Sequence, residues 1–188
     1  DRQSHVVKDA LDPTKPCALV PWSTVARPET RSALLRRKWD AVILDEGHYA
    51  KNFESQRTKA VYGTLQLGGA RLDNAHSVVS DQTRVWPLTG TPMPNSPYDL
   101  YPMLRSLAPH RLLASGDMPD VTLEKDFMHR YCVVKMKKIS NWNRIPVVIG
   151  GRNQAELSAR MEGFWLRRTQ ADVGITEPTY EVLPLPVS

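Results

Sequence analysis

Two consecutive carboxylates follow the most apolar short run in the chain. Residues 42–44 are Val-Ile-Leu, and Asp45, Glu46, Gly47 and His48 come directly after them. A continuous apolar run of this kind is typical of a parallel strand that is covered on both faces. In open α/β sheets, ligands bind at the carboxyl ends of the strands. We therefore expect Asp45 at a ligand-binding edge.

The two carboxylates suit different steps of phosphoryl transfer. Asp45 can hold Mg²⁺ through water, because Mg²⁺ keeps most of its waters and takes few protein ligands. Glu46 points elsewhere and can orient or deprotonate an attacking water. Charge neutralisation and placement of the nucleophile are the two functions that this reaction needs. The alternative interpretations are an exposed acidic loop and a structural role for His48.

A second loop with hydrogen-bonding side chains follows a short strand predicted over 84–88. Its members are Thr89, Gly90, Thr91, Pro92 and, three positions on, Asn95. Two hydroxyls flank a glycine and a proline fixes the turn, so the loop can hydrogen-bond a neighbouring acidic loop and relay its state. The alternative is a plain turn.

The elements that must position these loops alternate between strand and helix. Strands are predicted over 5–7, 17–20, 39–44, 84–88 and 145–149. Helices are predicted over 28–38, 56–67, 123–131 and 153–172, the last with a capping box at Asn153 and Glu156. The stretch 135–144 is basic and irregular, and 178–186 is extended. This alternation favours an α/β fold with a parallel sheet.

Composition excludes several classes of protein. The chain has 188 residues, 41% of them apolar, which is ordinary for a globular domain and excludes a coiled coil or a disordered tail. No apolar run is long enough to span a membrane. The two cysteines, Cys17 and Cys132, have no partner motif and suit a reducing compartment. A formal net charge of +5 permits a nucleic-acid partner.

Taken in order, the motifs resemble those of the Swi/Snf-type DNA-dependent ATPases, a branch of the superfamily-two helicases. Residues 45–48 resemble the DExH box of that family, its Walker B element, and 88–95 resemble its next motif. Lys51 and Asn52 match the Lys-Asn that follows the box. Residues 99–107 resemble the next helix, and 164–173 resemble the segment that closes the first lobe. Residues 127–132 are similar to the annealing-helicase and fork-remodeller subgroup.

The resemblance implies a partial RecA-like (P-loop NTPase) lobe: a parallel sheet flanked by helices, with a helical and basic insertion. Residues 1–115 would be the later part of the first lobe, and 116–188 the helical extension and closing segment. The implied activity is ATP-dependent translocation on double-stranded DNA, with ATP and Mg²⁺ as cofactors. The implied partners are duplex DNA and a parent chain with an upstream Walker A segment and a second lobe. The implied location is the nucleus, or the cytoplasm of a bacterial or phage system.

The resemblance also assigns roles to residues. Asp45 would coordinate Mg²⁺ through water and Glu46 would act on the hydrolytic water. His48 and the loop of Thr89, Gly90, Thr91, Pro92 and Asn95 would couple nucleotide state to DNA. Lys51 and Asn52 would lie near the DNA backbone.

The basic stretch 125–144 is a second candidate for nucleic-acid contact. It holds six Lys or Arg and only Asp126 as an acid. Its central cations are Lys135, Lys137 and Lys138, with Tyr131 and Trp142 nearby for stacking. The alternative is a solvated charged insertion.

The sequence departs from the family pattern in two respects. It contains no GxxxxGK[ST] loop and no Gly-Lys dipeptide, so we expect the isolated chain to hydrolyse ATP poorly or not at all. Gly47 stands where the commoner form of the box has Ala, and we expect little chemical change from it. Two alternatives stay open: a DNA-binding module without ATPase activity, and a Mg²⁺-dependent nuclease centred on Asp45 and Glu46, which needs further carboxylates.

Overall fold

The computed structural model describes residues 8–10, 12, 14–79, 84–140, 144–169 and 171–174. Its helices are α1 (Pro28–Leu35), α2 (Gln56–Tyr62), α3 (Tyr101–Leu107), α4 (Glu124–Tyr131) and α5 (Gln154–Met161). Its strands are β1 (Ala41–Leu44), β2 (Thr64–Gln66), β3 (Arg71–Asp73), β4 (Arg84–Pro87), β5 (Cys132–Lys138) and β6 (Arg144–Gly151). The strand predicted over 5–7 and the extended tail at 178–186 lie outside the described residues.

Strands β1 and β4 pair in parallel, which confirms the predicted α/β character and the parallel sheet. Leu44 faces the core and is buried. On the opposite face, Ile43 lies beside Trp86, and these side chains are 60% and 54% exposed. The expectation of a strand covered on both faces is therefore wrong within the described part of the chain.

The helix predicted over 56–67 ends early, at Tyr62. It begins at a true cap, because the Ser55 hydroxyl accepts the Thr58 backbone N–H at 3.2 Å. It stops at Gly63, which has a φ of 99°. A Cβ there would lie 2.3 Å from the Asp73 carbonyl oxygen, so only glycine lets the chain turn back into the β2–β3 hairpin.

Two further elements differ from prediction near the beginning of the described chain. The strand predicted over 17–20 does not form, and Leu19 is 88% exposed. The helix predicted over 28–38 begins at Pro28 as expected but ends at Leu35. The sequence 36–38 is Arg-Arg-Lys, which adds no apolar residue to the buried side of the helix, so no packing extends it.

The long helix predicted over 153–172 is limited to α5. Its predicted capping box is wrong, because Asn153 adopts a left-handed φ of 51° and makes no cap hydrogen bond. The Asn153 amide donates instead to the carbonyl of Arg130 at 2.8 Å, which ties the start of α5 to the end of α4. After Met161 the chain leaves the helix through Gly163, at a φ of 73°.

The basic stretch predicted as irregular is a β-hairpin. β5 and β6 pair antiparallel, from Cys132 opposite Gly151 to Lys138 opposite Arg144. One register shift, between Val133 and Val134, marks a bulge. Lys residues are poor strand formers, so the sequence gives a weak strand signal here, and the pairing with the β-branched β6 decides the structure.

One hydrophobic core joins residues from both sides of position 115. Its aromatic members contact one another in the order Phe53, Tyr101, Phe127 and Tyr131, with ring centroids 4.9 to 6.0 Å apart. All four are buried. The core therefore fixes α3 against α4 and the base of the β5–β6 hairpin. Helix α3 follows the loop of residues 89–95, called the Thr89 loop below.

A buried arginine closes the side of this core next to α5. Arg160 is 3% exposed and donates to the Tyr131 hydroxyl at 2.5 Å and to the carbonyls of Arg111 and Leu113 at 2.6 and 3.0 Å. These charge-assisted hydrogen bonds satisfy the donors of the guanidinium group, which would be costly to bury without partners. Arg160 thereby pins the turn after α3 to α5.

None of the helices in the described part of the chain combines the length and apolar character that a bilayer crossing requires.

Candidate functional site

The parallel pairing of β1 and β4 brings the two sequence motifs to one edge. Leu44 lies opposite Pro87, so the chain leaves both strands at the same level. Backbone bonds continue past the strands: Leu88 N–H donates to the Leu44 carbonyl at 2.9 Å, and Gly47 N–H donates to the Leu88 carbonyl at 2.8 Å. The relative position of the two loops is therefore set by the backbone.

Asp45 lies at the predicted edge with its side chain exposed. One carboxylate oxygen accepts the Glu46 backbone N–H at 3.1 Å. Its backbone carbonyl accepts the indole N–H of Trp22 at 2.8 Å. Sequence reasoning missed Trp22, since a single tryptophan 23 positions upstream in a loop carries no pattern.

Glu46 stands in a backbone conformation that few residues adopt. Its φ and ψ are both 49°, in the left-handed region. For a residue with a Cβ this costs about 1–2 kcal/mol, and such positions cluster at functional sites. The turn sends the chain into a short 3₁₀ helix, Gly47–Ala50, and directs the carboxylate back towards His48.

His48 joins the two motifs. Its Nδ1 lies 3.1 Å from Glu46 Oε2 and 3.0 Å from Thr89 Oγ1. With a proton on Nδ1 the ring donates to the carboxylate; without one, it accepts the threonine hydroxyl. The Thr89 hydroxyl also accepts the Thr91 backbone N–H at 3.1 Å. One ring nitrogen of His48 thus contacts both the acidic loop and the Thr89 loop.

The remainder of the Thr89 loop is less enclosed. Gly90, Thr91 and Asn95 are exposed, and Pro92 is half-buried. Asn95 is tied down by its backbone N–H, which donates to Asp99 Oδ2 at 2.8 Å. The structure therefore brings Thr89 to the acidic loop and leaves Gly90, Thr91 and Asn95 on the outside.

Lys51 and Asn52 are held by local contacts. Lys51 Nζ lies 3.8 Å from Asp99 Oδ2, and the Lys51 side chain is 30% exposed. Asn52 Oδ1 accepts the Glu54 backbone N–H at 2.8 Å, an Asx-type turn. The Asn52 contact uses its amide oxygen, and the Lys51 contact brings its ammonium group towards Asp99.

Asp99 is a connecting residue that the sequence analysis did not single out. Its Oδ2 accepts the backbone N–H groups of Asn95 and Ser96 and lies near Lys51. The spacing of Ser96 and Asp99 is that of a capping box, and the structure forms one at the 3₁₀ helix Pro97–Leu100. That spacing is the signal that could have found it.

A cavity of about 20 Å³ lies between these groups. Its lining includes His48, Thr89, Asp99 and Trp165, the last from the segment after α5. This volume is room for one water and not for a nucleotide. A nucleotide therefore needs the open side of the sheet edge, where Asp45 is exposed.

Asp45 has the donor set that Mg²⁺ requires when water fills most of its shell. It offers a solvent-exposed carboxylate, and Mg²⁺ commonly takes one or two such groups. Within the described ranges, no group of three or more His, Cys, Asp or Glu side chains converges to hold a metal. The arrangement fits a water-bridged Mg²⁺ on a phosphate and gives no support to a multi-carboxylate nuclease site.

The three central lysines lie on another sheet. Lys135 and Lys137 point to one face of β5 and Lys138 to the other, together with its partner Arg144 on β6. All four are exposed. Among the described residues, none of them forms an ion pair. The sequence analysis gives these lysines as candidate DNA contacts, with a solvated charged insertion as the alternative, and their exposure does not decide between the two. The structure does not join them to Asp45.

Comparison with known proteins identifies the family. The model of the SNF2-related domain matches residues 14–187. The Neurospora crassa protein named Helicase swr-1 is 30% identical over 150 residues, which is 73% of this chain and 6% of that protein. The mouse Helicase-like transcription factor is 43% identical over 70 residues, 37% of this chain and 5% of that protein.

A third relative, Helicase swr1 of Emericella nidulans, is 29% identical over 157 residues, 77% of this chain and 8% of that protein. The chain thus spans less than a tenth of the length of the curated relatives that it matches. No solved structure matches it. The motif order, the parallel strands that carry it and a family match over nearly the whole sequence agree, and the chain belongs to the SNF2-related domain family, a Swi/Snf-type helicase and ATPase family.

Proposed function

We propose that this chain is part of an ATP-driven motor that moves along double-stranded DNA. The observation that carries the proposal is the His48 bridge, in which one ring nitrogen faces both Glu46 and Thr89. A motor must couple the state of its hydrolytic site to its contacts with DNA. The His48 bridge joins the acidic loop, which carries Glu46, to the uncharged Thr89 loop. Family membership supports the same activity.

In this proposal each residue of the edge has one role. Asp45 holds Mg²⁺ through water, and bound Mg²⁺ with ATP supplies charge neutralisation at the phosphates. Glu46 orients and deprotonates the attacking water, for which its 53% exposed side chain is accessible. His48 then shifts its hydrogen bond between Glu46 and the Thr89 loop. The exposed residues Gly90, Thr91 and Asn95, with the half-buried Pro92 between them, form the rest of the coupling motif.

The proposed DNA contacts lie in two places. Lys51 and Asn52 follow the acidic loop and would reach the DNA backbone after Lys51 exchanges its pairing with Asp99. Lys135, Lys137 and Lys138 are already exposed cations on β5. Phosphate contacts of this type give affinity without sequence preference, as a translocating protein requires.

The complete motor, by this proposal, includes a Walker A segment and a second RecA-like lobe elsewhere in a longer protein. Residues 1–115 would supply the later part of the first lobe and 116–188 its closing segment. The relatives named above come from fungi and a mammal. That origin favours a nuclear protein over one from a bacterial or phage system.

The test is ATP hydrolysis by the full-length protein, with and without duplex DNA. We expect strong stimulation by DNA and a loss of about 10²–10⁴-fold in turnover for Glu46→Gln, the usual contribution of a general base. Glu54→Gln is the matched control, because Glu54 is an exposed carboxylate whose one ion pair among the described residues is with Lys59 at 3.7 Å. Equal turnover in both variants would remove Glu46 from the mechanism.

A DNA-binding module without ATPase activity is the second candidate. The observation that favours it is the basic hairpin, whose strand lysines are exposed and form no ion pair with any residue that the structure describes, and which can bind DNA whether or not ATP is used. It predicts salt-dependent DNA affinity that nucleotide does not change. No turnover by a folded full-length protein that binds DNA well would select this candidate.

A further inference from the structure

The β5–β6 hairpin is the most one-sidedly charged element of the chain. From Cys132 to Arg152 the sequence holds five Lys or Arg and no Asp or Glu. Four of the cations lie on the paired strands, two on each face near the end furthest from the core. Because the hairpin contains no acidic residue that could neutralise its cations, its charge is complementary to that of a polyanion.

Apolar side chains accompany these cations and are also open to solvent. Met136 is 54% exposed on β5, and Ile149 is 61% exposed on β6. An anionic protein surface offers carboxylates scattered among other groups, whereas DNA offers a regular row of phosphates. A two-stranded ribbon with cations on both faces fits the width of a duplex groove with its phosphate walls.

The base of the hairpin is packed tightly, in contrast to its tip. Cys132 is 1% exposed, and burial raises the pKa of its thiol, partly offset by a hydrogen bond from the Tyr98 backbone. A Cβ built on Gly151 would lie 2.7 Å from Cγ of Pro97 and 3.0 Å from its Cδ. Gly151 and Pro97 are therefore in close contact, and this contact, called the Gly151–Pro97 joint below, links the hairpin to the 3₁₀ helix Pro97–Leu100.

Pro97 belongs to the turn that carries the end of the Thr89 loop. Asn95 and Ser96 donate their backbone N–H groups to Asp99, and Asp99 pairs with Lys51 next to the acidic loop. A displacement of the hairpin base would move Pro97 and thereby this capping turn. The capping turn, residues 95–99, contacts Lys51 through Asp99 and continues the Thr89 loop through Asn95.

We propose that the β5–β6 hairpin is a DNA-contacting arm, and that the Gly151–Pro97 joint transmits DNA contact to the Asn95–Asp99 turn and so to the ATP site. This inference rests on the proposed motor function and adds the route by which DNA regulates it. The arm supplies contacts through Lys135, Lys137, Lys138 and Arg144. In this proposal the hairpin and the Pro97–Leu100 helix move together as packed rigid elements, and neither has to change its own conformation.

The first test concerns DNA binding by the arm and uses the full-length protein. The triple variant Lys137→Gln, Lys138→Gln and Arg144→Gln removes three charges from the arm. Its control, Lys8→Gln, Lys15→Gln and Lys38→Gln, removes three exposed charges elsewhere. We expect the slope of log Kd against log salt for duplex DNA to fall by about 0.9 for each phosphate that the arm no longer neutralises, and only in the arm variant.

Two outcomes would overturn the role of the arm in DNA binding. One is an equal change of slope in the arm variant and its control. The other is unchanged DNA binding together with abolished binding to vesicles of phosphatidylserine, which would assign the arm to a membrane surface.

The second test concerns transmission and compares neighbouring glycines. Gly151→Ala puts a methyl group into Pro97, whereas a Cβ on Gly150 meets nothing within 4 Å. We expect Gly151→Ala to keep DNA affinity but to reduce the DNA stimulation of ATPase at least about fivefold, the lower end of typical coupling between sites. Gly150→Ala keeps the stimulation. The double variant Gly151→Ala, Pro97→Ala removes both colliding ring atoms and restores it.

The outcomes separate the two proposals. Absence of DNA stimulation in the unaltered protein would contradict the motor itself. Stimulation that is the same in Gly151→Ala and Gly150→Ala would leave the motor intact and overturn the joint. A reduction in Gly151→Ala that the double variant does not recover would also overturn it, because relief of the collision would then have no effect.

Discussion

At the scale of single residues, the site is built from close approaches that allow little change. Gly47 is the clearest case. Its backbone N–H bonds to the Leu88 carbonyl, which draws it against β4. A Cβ on Gly47 would lie 3.0 Å from Cβ of Pro87, tighter than ordinary van der Waals contact. The sequence analysis expects little chemical difference between glycine and alanine at position 47. The structure shows that the alanine methyl group would in addition crowd Pro87.

We predict that Gly47→Ala lowers the free energy of unfolding of this chain by about 1 kcal/mol, the lower end of the range for overpacking. The low end applies because Pro87 needs to give way by only a few tenths of an ångström. Urea unfolding followed by far-UV circular dichroism measures it. Gly90→Ala is the control, since a Cβ there meets nothing within 4 Å. Equal stability of Gly47→Ala and the unaltered chain would contradict the close packing of the two loops.

At the scale of elements, ionic contacts hold α4 and α5 together. Glu156 on α5 pairs with Arg130 on α4 and accepts the Tyr131 hydroxyl at 2.7 Å. The hydrogen bond from Arg130 lowers the pKa of Glu156 below its ordinary 4.5. Burial raises the pKa of Tyr131 to about 12, so its hydroxyl stays protonated and continues to donate.

A pH dependence follows from Glu156. Because its pKa is lower in the folded state, its stabilisation is fully present above pH 4.5 and is lost as pH falls through the folded value. We predict that Glu156→Gln costs about 2 kcal/mol of unfolding free energy at neutral pH, since it leaves the half-buried Arg130 and the buried Tyr131 hydroxyl with a weaker acceptor. The difference from the unaltered chain shrinks below pH 4.5.

Urea unfolding at neutral and acid pH measures this difference. Glu162→Gln serves as control, because that side chain is exposed at the end of α5. A constant difference between Glu156→Gln and the unaltered chain across the acid range would contradict the role of the ion pair.

The sequence predicts elements well where the period of the apolar residues is unambiguous. The strands at Ala41–Leu44 and Arg84–Pro87 and the helix at Glu124–Tyr131 lie where expected. Prediction fails where tertiary contacts decide. Asn153 leaves its cap position for the Arg130 carbonyl, and the lysine-rich strand β5 exists because β6 pairs with it.

The same distinction applies to the candidate site. The sequence predicts that Asp45 and Thr89 come from neighbouring strand ends, because both follow apolar runs. It does not predict Trp22 or Asp99, whose contacts arise only when distant loops meet. It also does not predict the left-handed backbone of Glu46, which no local residue preference favours.

At the scale of the whole molecule, the described chain has the exposed carboxylate of Asp45 at a sheet edge, the proposed site of Mg²⁺ and phosphate, and its described residues form no glycine-rich cradle there. The sequence has no Gly-Lys dipeptide, and the small cavity near His48 has room for one water. We predict that the purified 188-residue chain shows no ATP turnover above that of a Glu46→Gln sample prepared in parallel. Phosphate release under Mg-ATP measures it. Steady turnover that Glu46→Gln abolishes would show that the chain needs no further phosphate-binding loop.

The parallel pairing of β1 with β4 also determines when the site can exist during folding. The paired residues are separated by about 40 positions, so a long loop must close before any of their hydrogen bonds form. Helices and the local β5–β6 hairpin can form on contacts between near neighbours, which are faster. Partly folded forms of the chain can therefore carry the basic hairpin while Glu46, His48 and Thr89 are still apart. The proposed affinity of this hairpin for polyanions then precedes the assembled edge, so we expect a newly made chain to bind nucleic acid before the proposed hydrolytic centre exists.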